Sequence, residues 1–159
     1  MSTLLSEHFT LEEAIQSQVA SREGIDNYPT SPMVITTAST TAVKLEKVRA
    51  LLGHPINVDS WIRCLALNRA LKSKDTSQHI LGEAVDFICP QFGSPLEICQ
   101  EIMKHMEVIN FDQLILEHTW VHISFKSDPS VSDRNHVLSL LEDGTYANGL
   151  TDKTGKFYA

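Results

Sequence analysis

The chain has no long apolar run, no basic stretch and no paired cysteine spacing. Each absence excludes something. Without an apolar stretch of about 20 residues, a membrane-spanning helix is not expected. The formal net charge of −7 and the lack of a Lys/Arg cluster remove the electrostatic footprint of a nucleic-acid binder. The three cysteines, Cys64, Cys89 and Cys99, are odd in number and far apart. They make neither a disulfide framework nor a zinc ribbon, and read as small reduced hydrophobes. The opening MSTLLSEHFTLEEA has no basic cluster ahead of an apolar segment, so no secretory signal is expected. Repeats, low-complexity tracts and linkers are also missing.

What is present suits one compact domain over residues 1–159, with a core from about 6 to 149 and an irregular tail at 150–159. At 42% hydrophobic, the chain can bury a real core. Thr10 and Glu13 form a capping box, and a helix is predicted from there towards Ser21. Pro32 to Ile35 reads as loop, with a second helix starting near Thr40 or Thr41. Val43, Leu45, Val48, Leu51 and Leu52 give that helix its apolar stripe, and Gly53 its stop. Ile56 to Ser60 reads as a strand, Ala66 to Leu71 as a short helix and Ala84 to Cys89 as a buried strand. Ser94-Pro95-Leu96-Glu97 starts a helix reaching about Met106. Phe111 to Phe125 reads as two strands, Asn135 to Leu141 as a last helix, and the tail from Asp143 as irregular. The class is α+β, a small antiparallel sheet packed with helices.

The chemistry concentrates in SQHILGEAVD and WVHIS. His79, Asp86 and His122 offer two imidazoles and a carboxylate, a set that suits a zinc ion with one position left for water. On a single helix His79 and Asp86 would lie about two turns apart on one face. Gly82 and the run Val85 to Ile88 favour another picture, with His79 on a loop and Asp86 within a strand. An aspartate in so apolar a strand is either paired, metal-bound or turned to solvent.

If a two-residue turn falls at His118-Thr119, Glu117 faces Trp120 and Ile115 faces His122. All four then share one face of the sheet. A single continuous strand would separate Glu117 from His122. Glu117 is the acid placed to take a proton from water at such a site.

These residues resemble the zinc D-Ala-D-Ala carboxypeptidases and the related L-alanyl-D-glutamate endopeptidases. That family includes phage endolysins and shares its fold with hedgehog signalling domains. SEHFTLEEAIQSQVASREGIDNYP, KLEKVRALLG and VDSWIRCLALN extend the resemblance from about Ser6 to Gly149. It implies His79, Asp86 and His122 as ligands of one zinc ion. It implies Glu117 as general base, although several relatives carry their acid at the position of Thr119. It implies Arg63 near a substrate carboxylate or the polarised carbonyl, and Ser77 and Gln78 lining the cleft. Trp120, on the face of Glu117, joins them as a substrate contact.

Where relatives commonly read Ser-Gly-Tyr-Arg-Ser-Pro, this chain reads Ser60-Trp61-Ile62-Arg63-Cys64-Leu65. Trp61 is expected to close or reshape the cleft. The function implied is hydrolysis of an amide bond in peptidoglycan stem peptides by a phage or prophage enzyme. Such an enzyme is made in the cytoplasm and acts on the wall after release or within a virion. A monomer is favoured. The alternative is a non-catalytic domain that keeps zinc for stability.

Overall fold

A computed structural model describes residues 2–158. The α+β class holds. Six strands form one sheet in the order β1-β2-β4-β3-β5-β6, namely Asn57–Ser60, Ala84–Ile88, Val121–Ser124, Gln113–Leu116, His136–Leu140 and Tyr146–Asn148. Every neighbouring pair is antiparallel except β3 with β5, which run parallel. The sheet is therefore mixed rather than wholly antiparallel.

Residues paired across strands share a face. Val85, Phe87, Leu114, Leu116, Val121 and Ile123 all turn to one side, where they join Leu45 and Val48 of α3 (Pro32–Leu52) and Ile98 and Ile102 of α6 (Pro95–Lys104) in the core. The opposite side carries a row made of Asp86, His122, Ile115, Leu138 and Asn148. Helices cover the first face, and the second holds the chemistry.

Both sequence-read capping boxes are present, Thr10 with Glu13 and Ser94 with Glu97. The first helix stops sooner than its pattern predicts. α1 is Leu11–Ile15, and Ser17 caps a separate α2, Gln18–Glu23, by accepting from the amide of Ala20. α3 starts at Pro32, well before Thr40. Ser31 accepts from the amide of Met33 and proline occupies the first turn, a start signal that outweighs the β-branched residues after it. Within the stripe of α3, Leu45, Val48 and Leu52 are buried but Val43 is exposed.

Two further segments differ from expectation. Residues 136–140 form β5, not a helix, because they pair with β3 and turn Ser139 into the core. The segment from Asp143 is only partly irregular: β6 extends the sheet, and an isolated bridge joins Thr151 to Phe157. Short helices α4 (Leu65–Ala70), α5 (Gln78–Leu81) and α7 (Met106–Ile109) complete the fold.

Candidate metal centre

His79 stands on α5, one short helical turn rather than a loop. Ser77 caps that turn by accepting from the amide of His79, and Gly82 ends it at φ +83°. A side chain at Gly82 would be strained by that φ, and its Cβ would meet the carbonyl oxygen of Val34 at 3.1 Å. The tight passage turns the chain directly from His79 into β2. The Gly82 carbonyl is not wasted: it accepts from Thr41 Oγ1 and from Trp61 Nε1.

Asp86 lies in β2 and pairs directly with His122 of β4. One imidazole therefore faces the carboxylate across the sheet and the other descends on it from α5. His122 Nδ1 lies 2.9 Å from Asp86 Oδ1, and His79 Nε2 lies 3.3 Å from Asp86 Oδ2. One ligand atom from each of the three residues falls within 4.8 Å of the others. Tetrahedral zinc with bonds of about 2.0–2.2 Å to N and O needs donors of this kind converging in this way.

The far side of His79 supports the same conclusion. Its Nδ1 is 2.7 Å from the carbonyl oxygen of Trp61. A carbonyl can only accept, so Nδ1 carries the proton and Nε2 keeps a lone pair facing the carboxylate. Burial also disfavours the charged ring, and the pKa of His79 falls despite the nearby carboxylate. For Asp86 the balance goes the other way. Burial pushes its pKa up, but any proton on the His79 or His122 nitrogen facing it pulls it well below the usual carboxylate range, through charge and hydrogen bonding. The result is an ionised carboxylate beside a neutral imidazole, both ready as ligands.

Glu117 lies just beyond β3. Its amide donates to the carbonyl of Trp120, and β3 pairs Ile115 with His122. The two-residue hairpin at His118-Thr119 is therefore present, and Glu117 shares the face of His122. His118 takes φ +67°, as a tight turn of this kind requires, and its Nε2 is anchored on the Leu140 carbonyl. Burial pushes the Glu117 carboxyl up to about 7. His122 and Arg63 pull it down and Asp86 adds to the rise.

Arg63 reaches the same place. Its Nη2 donates to Asp86 Oδ2 at 3.1 Å and its Nε to Ser60 Oγ. Trp61 does not touch the cleft: it is fully buried, packed edge-on against Phe9. The altered loop thus puts its bulky residue into the core and leaves Arg63 facing the site. Asn27, which sequence reasoning passed over, braces this loop. It donates to the carbonyls of Ile15 and Ile62 and accepts from the amide of Cys64. Nothing local marks Asn27, because its partners lie far away in the chain. Cys64 caps α4, and Cys89 is buried against the Pro55 carbonyl. Neither belongs to the group of potential ligands.

Gln78 donates to Glu83, a nearly buried carboxylate that also accepts from the amide and hydroxyl of Ser127. Ser77 and Gln78 are thus bound to the scaffold around His79. Trp120 carries the only buried side-chain polar atom without a hydrogen-bond partner among the described residues, its Nε1. Asp112 does not orient either histidine. It binds Arg134 through both carboxylate oxygens.

Residues 7–124 match the model of a family described as Peptidase M15. No curated protein matches the chain. The matched stretch includes all three potential ligands, Arg63 and Glu117.

Proposed function

The chain belongs to the Peptidase M15 family, and from that premise we propose that it is a zinc-dependent peptidase acting on the stem peptides of peptidoglycan. The observation that carries the reading is the convergence of His79, Asp86 and His122 on one point with Glu117 on the same face. His79 Nε2, an Asp86 oxygen and His122 Nδ1 would hold the ion. When bound, zinc supplies Lewis acidity and makes water more acidic near neutrality.

Glu117 takes the proton from the attacking water and passes it to the departing amine. A carboxyl pushed up towards neutrality is suited to both halves of that transfer. Arg63, held by Ser60 and Asp86, supplies positive charge beside the developing oxyanion or the substrate carboxylate. Trp120 pairs with Glu117 at the hairpin, and its ring is read as a contact for the bound peptide. The peptidoglycan substrate and a phage or prophage setting, as lysis enzyme or virion part, rest on the sequence resemblance.

The test is direct. Zinc-loaded protein is incubated with purified peptidoglycan, and released amino groups are counted and their parent peptides weighed by mass spectrometry. New amino termini that disappear in Glu117→Gln support the reading. Zinc bound at one per chain with no cleavage would instead identify a non-catalytic domain.

A further inference from the structure

The open face of the sheet continues beyond the His–Asp–His group. On β5, Leu138 pairs with Ile115, and on β6 Asn148 pairs with Leu138. Extending the register of Leu116 with Ser139 by one residue sets Leu140 beside Glu117, and Leu140 pairs with Tyr146. A second row therefore runs Trp120, Glu117, Leu140, Tyr146, alongside the row that begins with Asp86 and His122.

The two ends of this face differ in charge. Asp86, His122, Glu117 and Arg63 crowd the end near β1, β2 and β4. Past β3 the side chains in these rows are Leu138, Leu140, Asn148 and Tyr146, none of them charged. From His122 to Asn148 is three strand spacings, about 14 Å, the length of roughly four extended residues. Tyr146 lies two strands from Glu117, about 10 Å at the backbone. Its side chain is 50% exposed and so open to a ligand.

We infer that Tyr146, with Leu138, Leu140 and Asn148, forms a subsite for an uncharged stretch of peptide on the β6 side of the metal centre, its phenol donating a hydrogen bond to a peptide carbonyl. The inference rests on the peptidase reading above. A tyrosine with an apolar ring and a polar tip suits a half-open peptide floor. Burial, with Glu117 and Asp86 adding to it, pushes the phenol pKa up, so the hydroxyl remains a donor at neutral pH. Both β5 and β6 lie past residue 124, outside the stretch that matches the family. The subsite is thus built by a part of the chain that the family match does not reach.

The experiment measures kcat and KM for the zinc-loaded protein and for Tyr146→Phe. The substrates are a purified stem pentapeptide and versions shortened from either end. Loss of one substrate hydrogen bond remote from the scissile bond should raise KM about five- to tenfold and leave kcat within about twofold. The effect should vanish on peptides shortened at one end and persist on those shortened at the other. Zinc content and melting temperature should not move. An unchanged KM on every peptide overturns the subsite, and so does a fall in kcat at constant KM. Absence of cleavage by the unaltered protein fails the peptidase reading itself, an outcome visible before any variant is made.

Discussion

The carbonyl oxygen of Trp61 accepts from Nδ1 of His79 at 2.7 Å, while the indole N–H of the same tryptophan donates to Gly82. One core residue thus fixes both the tautomer of a potential ligand and the glycine that ends its helix. Orientation of this kind commonly affects metal affinity by about 10- to 100-fold. Trp61→Ala should cost about 3–5 kcal/mol through the cavity alone. Trp61→Phe keeps most of the volume and the backbone carbonyl, and should cost about 0.5–1.5 kcal/mol for the lost hydrogen bond, since the Gly82 carbonyl still accepts from Thr41. Denaturant unfolding of the metal-free variants separates these outcomes, and a Trp61→Phe variant as stable as the parent would show that the indole N–H contributes nothing.

His122→Ala should abolish stoichiometric zinc binding while leaving the fold intact, since His122 lies at the open face and not in the core. Elemental analysis after dialysis checks this. Asp86→Asn should weaken the ion as well, because it removes the only anionic ligand of the three. Retention of one zinc per chain in both variants would place the metal elsewhere.

Glu117→Gln should lower kcat by about 10²- to 10⁴-fold with zinc content unchanged. In the unaltered enzyme, activity should rise with pH as Glu117 ionises. The limb should lie at or below about 7, because a bound cation favours the carboxylate. A variant that keeps full turnover would remove Glu117 from the reaction.

Metal-free stability should carry the signature of the same carboxyl. Glu117 is pushed up to about 7 from an ordinary value of 4.5. Between those values the native state holds a proton that the unfolded chain has lost, so rising pH destabilises the fold across that window. Glu117→Gln removes this contribution. The melting temperature of the variant minus that of the parent should be smallest at about pH 4 and level off above about pH 7. A difference that does not change with pH would contradict a raised carboxyl.

Glu83 gives a prediction about the loop after β4. Its carboxylate accepts from the amide and hydroxyl of Ser127 and from Gln78. Glu83→Ala leaves those donors without their partner and should cost about 1–3 kcal/mol. Hydrogen exchange should quicken at the Ser127 amide in the variant. Unaltered exchange there would mean that the loop is held by other contacts.

Much of the site was legible because its signals are local or periodic. The alternation through Ile115, Glu117, Trp120 and His122 requires only a hairpin and a turn position, and both are found. Apolar neighbours around Asp86 pointed to a buried strand with a carboxylate that needs partners, and it has three. The capping boxes at Thr10 and Ser94 depend on residues three apart, so they were visible too. What escaped depends on distant partners. Residues 136–140 become a strand only because β3 lies beside them in parallel, and nothing within that segment announces this. Asn27 is important through contacts with residues 15, 62 and 64. Trp61 stands where relatives commonly carry glycine, which suggests a cleft residue, but core packing against Phe9 claims it. At Ser31-Pro32 the cap and first-turn proline compete with a β-branched run that follows, so the helix start is weakly marked in the sequence.

The direct pairing of Asp86 with His122 has one last implication. Two of the three donors meet only once β2 and β4 have zipped together, strands separated by α6, α7 and β3 in the chain. An unfolded polypeptide offers no comparable nest, so a divalent ion would grip the finished sheet almost exclusively. Chelator-competition titration would then serve as a gauge of the native population, and withdrawing the ion would lower the melting temperature in proportion to the logarithm of its free concentration.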